Sequence, residues 1–111
     1  MAETLPLLKG TLDVLVLKAL AWDTMHGFEI TSWLEERSSG LVAADEGALY
    51  HALHRLEERA LIASEWRVTP NNRRARYYRL LPAGRAYLKT EGANLERYAR
   101  ALTAILTARP A

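Results

Sequence analysis

The sequence predicts a mainly α fold with a small β-hairpin, on three observations. Three short helical apolar stripes follow one another, the periodicity then changes abruptly to two, and a long closing helix carries a seven-residue repeat. A chain of 111 residues has room for one compact core, so each element must pack on that core or project from it.

The first helix is read over Thr11–Trp22, where Leu12, Leu15, Leu17, Ala19 and Leu20 recur at mostly helical spacings and Asp13 and Lys18 occupy the remaining arc. Met25, His26 and Gly27 break the pattern. Phe28, Ile30, Trp33 and Leu34 resume it over Gly27–Arg37, and Ser38-Ser39-Gly40 supplies the stop. After the apolar linker Leu41–Ala44, Asp45 is suited to N-cap a third helix, in which Leu49, Ala52, Leu53 and Leu56 form one inward stripe. Tyr50, His51, His54, Arg55 and Glu58 fall largely outside that stripe.

Ile62, Ser64, Trp66 and Val68 then alternate with Ala63, Glu65, Arg67 and Thr69. Pro70-Asn71-Asn72-Arg73 has turn chemistry, and Arg74–Leu80 reads as a return strand, giving a two-stranded hairpin. Pro82 suits the first turn of a last helix that runs, interrupted only by Gly92, toward Pro110. At roughly two dozen residues it spans about 36 Å. Leu88, Leu95 and Leu102 recur every seven residues, with Tyr98 and Ile105 as a companion seam. One small core cannot cover both seams, so Leu95, Tyr98, Leu102 and Ile105 are expected to pair with a second copy. The chain therefore divides functionally into residues 1–82 and a dimerisation helix over residues 83–111.

Composition narrows the function. Half the residues are hydrophobic and a quarter charged, as in a soluble folded domain. The absence of cysteine removes disulfides, thiolate metal sites and cysteine nucleophiles, and fits the cytoplasm. Residues 1–11 include Glu3 and lack a basic start, and the apolar run from Leu12 is broken by Asp13 and Lys18, so neither a signal peptide nor a membrane span is expected. The net charge of +2 conceals a division: residues 1–58 carry four Lys/Arg against ten Asp/Glu, and residues 59–111 carry eleven against three. Such a concentrated positive surface suits a polyanionic partner.

Three helices followed by a basic hairpin make the outline of a winged helix-turn-helix, with the third helix in a DNA major groove and the hairpin along the backbone or minor groove. Arg73, Arg74, Arg76 and Arg79 place four guanidinium groups within seven residues, interleaved with Tyr77 and Tyr78. Guanidinium forks match phosphate oxygens, and the amides of Asn71 and Asn72 at the tip add neutral contacts. Strand alternation puts Arg74 and Arg76 on one face, with Arg73 and Arg79 on the other. Arg73, Arg74 and Arg76 are the expected DNA contacts. On the third helix the candidates are Gly47, Ala48, Tyr50, His51 and His54. Gly47 and Ala48 allow close approach or contact with a thymine methyl, and Tyr50 can reach a phosphate or instead pack half-buried. The scarcity of Arg, Lys, Asn and Gln predicts sparse base readout.

The segments LKGTLDVLVLKAL, HGFEI, ALYHALHRLE, LIASEW and RRARYYRLLPAGR, in this order over about residues 8 to 90, resemble the PadR-type regulators. That resemblance implies a winged-helix homodimer, usually a repressor, on a two-fold symmetric operator. It also implies frequent release by a small effector, phenolic or drug-like. The short tail resembles the subfamily with a single C-terminal dimerisation helix. Two positions depart from the family pattern: Ala60 stands where glycine is usual after the third helix, and Leu81 where threonine usually opens the last. Both ends are therefore expected to use other backbone arrangements.

His51 and His54, with His26 elsewhere, do not form a convincing metal set. Ser38, Ser39 and Ser64 lack a nucleophile motif, and no glycine-rich phosphate loop is present, so no enzyme, metal or cofactor is expected. The competing function is a winged-helix module that binds an acidic protein. Trp22, Trp33, Trp66 and Tyr98 are read first as core and dimer packing, with Trp33 and Tyr98 as candidates for a small-effector pocket at the dimer junction.

Overall fold

The computed structural model describes residues 10–110. Most of the N-terminal stretch read for a signal peptide, residues 1–9, lies outside the described residues, as do the Leu8-Lys9 start of the first resemblance segment and Ala111. Among the described residues the elements are α1 (Thr11–Trp22), β1 (Met25–His26), α2 (Gly27–Arg37), α3 (Glu46–Glu58), β2 (Ile62–Val68), β3 (Arg74–Leu80) and α4 (Pro82–Leu106). Helices α2 and α3 form the helix-turn-helix and β2–β3 the wing. No helix among the described residues is long and apolar enough to cross a membrane.

Helix α1 lies at the centre, packed against α2, α3, β3 and α4. Its Val16, Leu17 and Ala19 are fully buried and join Ile30, Leu34, Leu53, Leu56 and Ile62 in one continuous core. Asp13, expected on the outward arc, is buried. Its carboxylate is tolerated there because Arg55 of α3 donates to both oxygens, Nη2 to Oδ1 at 2.7 Å and Nε to Oδ2 at 3.3 Å. Phe28 also departs from the apolar pattern. It is 77% exposed at the start of α2, because Ile30 and Leu34 fill the inward face.

The hairpin is part of a three-stranded antiparallel sheet in the order β1-β3-β2. Met25 pairs with Tyr78 and His26 with Tyr77, so the segment read as a simple break is an edge strand. His26 then caps α2. Its Nδ1 accepts from the Glu29 amide at 3.3 Å, and Glu29 Oε1 accepts from the His26 amide at 3.1 Å. Asp45 caps α3 as expected, accepting from the Ala48 amide at 2.7 Å.

At Ala60 and Leu81 the two helix ends use ordinary capping conformations. Ala60 adopts the left-handed conformation, φ 57°, that a glycine would take. The Leu61 amide donates to Leu56 O and the Ala60 amide to Glu57 O, both at 3.0 Å, which closes α3 with a Schellman motif. Leu81 has ordinary extended N-cap angles and lacks only the side-chain bond that threonine would add. Helix α4 starts in close contact with this turn. A Cβ on Gly84 would stand 2.0 Å from Leu61 O, so only glycine lets the two backbones meet.

Candidate nucleic-acid interface

The outer face of α3 is built from residues that the core stripe leaves free. Tyr50, His51 and His54 are exposed, and Asp45 secures the helix start beside Glu46 and Gly47. Tyr50 lies parallel to His54, with centroids 6.2 Å apart, and meets His51 edge-on at 5.7 Å. His54 Nε2 is 2.7 Å from Glu58 Oε1. The Tyr50 ring is 63% exposed rather than packed half-buried. Ala48, by contrast, is half-buried and leans on the core, so less of it faces outward than the sequence suggests.

On the wing, the register sets Trp66 opposite Arg76 and Val68 opposite Arg74. Both guanidinium groups consequently lie near the Trp66 ring, Arg74 at 5.0 Å and Arg76 at 5.5 Å from its centroid. On the other face Arg67 lies 5.3 Å from the Tyr77 ring and pairs with Glu65 at 2.5 Å. The tip is tied by Thr69. Its amide donates to Arg73 O at 2.7 Å, its carbonyl accepts from the Asn72 amide at 2.9 Å, and its hydroxyl accepts from the Arg73 amide at 3.2 Å. Asn72 adopts φ 62°, a conformation asparagine tolerates. Arg73 and Arg74 are exposed and make no ion pair among the described residues. Arg76 is different: its Nε donates to Ser64 Oγ at 2.8 Å, and its Nη2 lies 3.9 Å from Glu57 Oε2.

A cleft of about 820 Å³ separates the wing from α3 and the start of α2. Its walls include Phe28, Leu49, Tyr50 and Leu53 on the helical side and Arg74 and Tyr78 on the wing. The site therefore has an apolar floor with cationic sides, and the exposed faces of α3 and of the wing tip flank it. Burial pushes the Tyr78 phenol up from its usual 10.0, with opposing effects from the Arg76 cation and the Glu57 anion beside it.

Sequence reasoning missed Trp66 and Phe28 as parts of this surface. Trp66 was legible in principle, because fixing the turn at residues 69–73 also fixes its pairing with Arg76. Phe28 gave no such signal, since an apolar residue at helical spacing reads as core. Trp22, Trp66 and Tyr98 are 61%, 55% and 54% exposed, so none is core. Trp33 pairs with Trp22 at 6.3 Å, under the Arg37 guanidinium, while Tyr98 stands on the exposed face of α4. Trp33 thus has Trp22 as its aromatic neighbour rather than Tyr98. Of the α4 seam, Leu88 packs on the core, Leu95 is half-buried, and Leu102 and Ile105 are exposed. Among the described residues no cluster of three or more His, Cys, Asp or Glu could hold a metal.

Residues 16–90 match the model of the transcriptional regulator PadR-like family. A transcriptional regulator of Mycobacterium tuberculosis is 41% identical over 86 residues, covering 77% of this chain and 76% of its own. The crystal structure of a PadR family transcription regulator from Clostridium difficile superposes with a TM-score of 0.74 at 26% identity, covering 87% of this chain and 99% of that one. Bacillus subtilis PadR, solved in complex with operator DNA, has the same fold with a TM-score of 0.64 at 22% identity, covering 71% of this chain and 46% of that one.

Proposed function

Because the chain belongs to the PadR-like family of transcriptional regulators, we propose that it is a homodimeric repressor that binds a two-fold symmetric operator in the cytoplasm. Residues 1–82 read DNA and residues 83–111 dimerise. The observation that carries this reading is the two exposed guanidinium groups, Arg73 and Arg74, which make no ion pair among the described residues, on a wing that stands beside the exposed face of α3. Arg74 over Trp66 loses less conformational freedom on meeting a phosphate than an unrestrained side chain would. Bacillus subtilis PadR, which has the same fold, was solved in complex with operator DNA, and this supports DNA as the partner.

In this mechanism Gly47, Ala48, Tyr50, His51 and His54 approach the major groove, while Asn71, Asn72, Arg73 and Arg74 hold flanking backbone. Tyr98, Leu102 and Ile105, left in solvent on α4, pair with their counterparts alongside Leu95. The two recognition helices then sit about 34 Å apart, one helical turn of DNA. A small effector acting at the dimer junction would draw its aromatic wall from Tyr98 of α4, with Trp33 contributing through the Trp22 stack.

The test is binding of the purified protein to the region upstream of its own gene, against scrambled DNA, across a salt series. The reading expects selective binding at two chains per site that weakens steeply with salt. Equal, weak binding to both DNAs would overturn it in favour of a protein-interaction module.

A further inference from the structure

The wing is tied to the last turn of α3 by a chain of side chains. Ser64 Oγ donates to Glu57 Oε2 at 2.5 Å, and the same Ser64 Oγ accepts from Arg76 Nε at 2.8 Å. Arg76 Nη2 approaches the Glu57 carboxylate to 3.9 Å and closes the circuit. Glu57 belongs to the last turn of α3, Ser64 to β2 and Arg76 to β3, so three elements meet at one hydroxyl.

The position of this link in the hairpin gives it its importance. Along β2, Ile62 is buried, Ala63 and Ser64 are half-buried, and Glu65 through Val68 are exposed. Ser64 is thus the last residue of β2 with cover before the wing runs into solvent. Strand β1 pairs with β3 only at Tyr77 and Tyr78, and beyond them the wing is a two-stranded ribbon with little rigidity of its own, so the angle at which it projects depends on what grips it at that point. Arg76 also differs in electrostatics from Arg74. Its charge already faces a carboxylate, whereas Arg74 lies over the Trp66 ring and makes no ion pair among the described residues. A phosphate at Arg76 would have to compete with Glu57 and would meet repulsion from it.

We propose that Glu57, Ser64 and Arg76 form a strut that fixes the angle between wing and recognition helix, and that Arg76 is a positioning residue for operator selection rather than a phosphate contact. The proposal rests on the DNA-binding reading above. Two contact surfaces held at a fixed angle recognise one spacing of groove and backbone, while a loose wing finds phosphate on any duplex.

The experiment compares the full chain with its Arg74→Ala, Arg76→Ala and Ser64→Ala variants on own-promoter and scrambled duplexes across salt. Hydrogen exchange of the hairpin amides is followed in parallel without DNA. Arg74→Ala should reduce the salt slope by about 0.9 per chain on both duplexes, the signature of one lost phosphate contact. Arg76→Ala should leave the slope on scrambled DNA unchanged and lower the preference for promoter DNA by about tenfold, equivalent to roughly 1.4 kcal/mol. Ser64→Ala, which alters no charge, should lower that preference in the same way. Both should speed exchange of the hairpin amides by about tenfold, a loss of roughly 1.4 kcal/mol of protection. A slope loss in Arg76→Ala equal to that of Arg74→Ala would make Arg76 a phosphate contact and overturn the proposal. Wild-type hairpin exchange in Ser64→Ala and Arg76→Ala would overturn the strut itself. If the unmodified protein fails to select promoter DNA, the regulator reading fails, and the exchange measurement still decides whether the strut exists.

Discussion

Asp13 is the one charged residue among the buried side chains described, and its acceptance depends on a single partner. Arg55 reaches it from α3 with two hydrogen bonds, and these hold the guanidinium protonated even more firmly than usual. Arg55→Ala would leave a buried carboxylate without its donor, at a cost of about 1–3 kcal/mol, near the lower end because the guanidinium is half in water. Chemical denaturation of Arg55→Ala, Asp13→Ala and the double variant checks this: the double should lose less stability than the singles added together. Tyr78 makes a pH-dependent contribution. Burial raises its phenol above the usual 10.0, so the folded state resists losing the proton that the unfolded chain gives up. This stability is fully present below about pH 10 and is lost as the pH rises through the folded value. Unfolding titrations between about pH 9 and 11 should fall more steeply for the native protein than for Tyr78→Phe.

At the scale of elements, the turn from α3 into β2 concentrates two opposite glycine effects around Leu61. Ala60 holds a left-handed conformation that costs an L side chain about 1 kcal/mol, so Ala60→Gly should stabilise the protein by about that amount. Gly84→Ala should do the reverse. Its new methyl would overlap Leu61 O and force α4 off the turn, at a cost of about 1–3 kcal/mol. Thermal melts of the two variants should move in opposite directions. The same region shows what the sequence conveys. Helices α1 to α3 were legible because each carries apolar residues at helical spacing, the hairpin because β2 alternates and a turn sequence follows it, and Asp45 marks a helix start. Strand β1 was not, since two residues have no period and its partners, Tyr77 and Tyr78, lie more than 50 residues away. The His26 cap was missed for a chemical reason: an imidazole nitrogen here takes the place of the usual hydroxyl or carboxylate. In the candidate site, the arginines were legible as charges. Which of them is tied down was not, because the Glu57–Ser64–Arg76 link depends on distances between three elements.

The whole molecule is elongated, 61 × 35 × 21 Å, with a radius of gyration of 15.7 Å against about 13 Å for a compact domain of this size. Helix α4 accounts for the excess: Tyr87 and Leu88 pack on the core, while the half beyond Leu95 leaves it. The exposed half carries Tyr98, Leu102, Ile105 and Leu106, with Leu106 80% exposed, while Arg100 pairs with Glu96 on the same helix. An apolar stripe of this kind on an isolated helix end would be unfavourable in water, and in the proposed dimer a second copy would supply a matching stripe under two-fold symmetry. Replacing Leu102 and Ile105 together by glutamate should therefore give a monomer by sedimentation. Its helix-turn-helix should keep its folded circular dichroism, because neither residue contributes to the core. Operator affinity should fall by at least about a hundredfold, since each half-site would then be bound without the effective concentration that the second reader supplies. Affinity for scrambled DNA should fall much less, as phosphate contacts on a single wing survive. If the variant remains dimeric, the pairing surface lies elsewhere. If it becomes a monomer yet keeps its promoter affinity, one chain suffices for recognition, and the two-fold operator would have to be given up together with the spacing argument built on it.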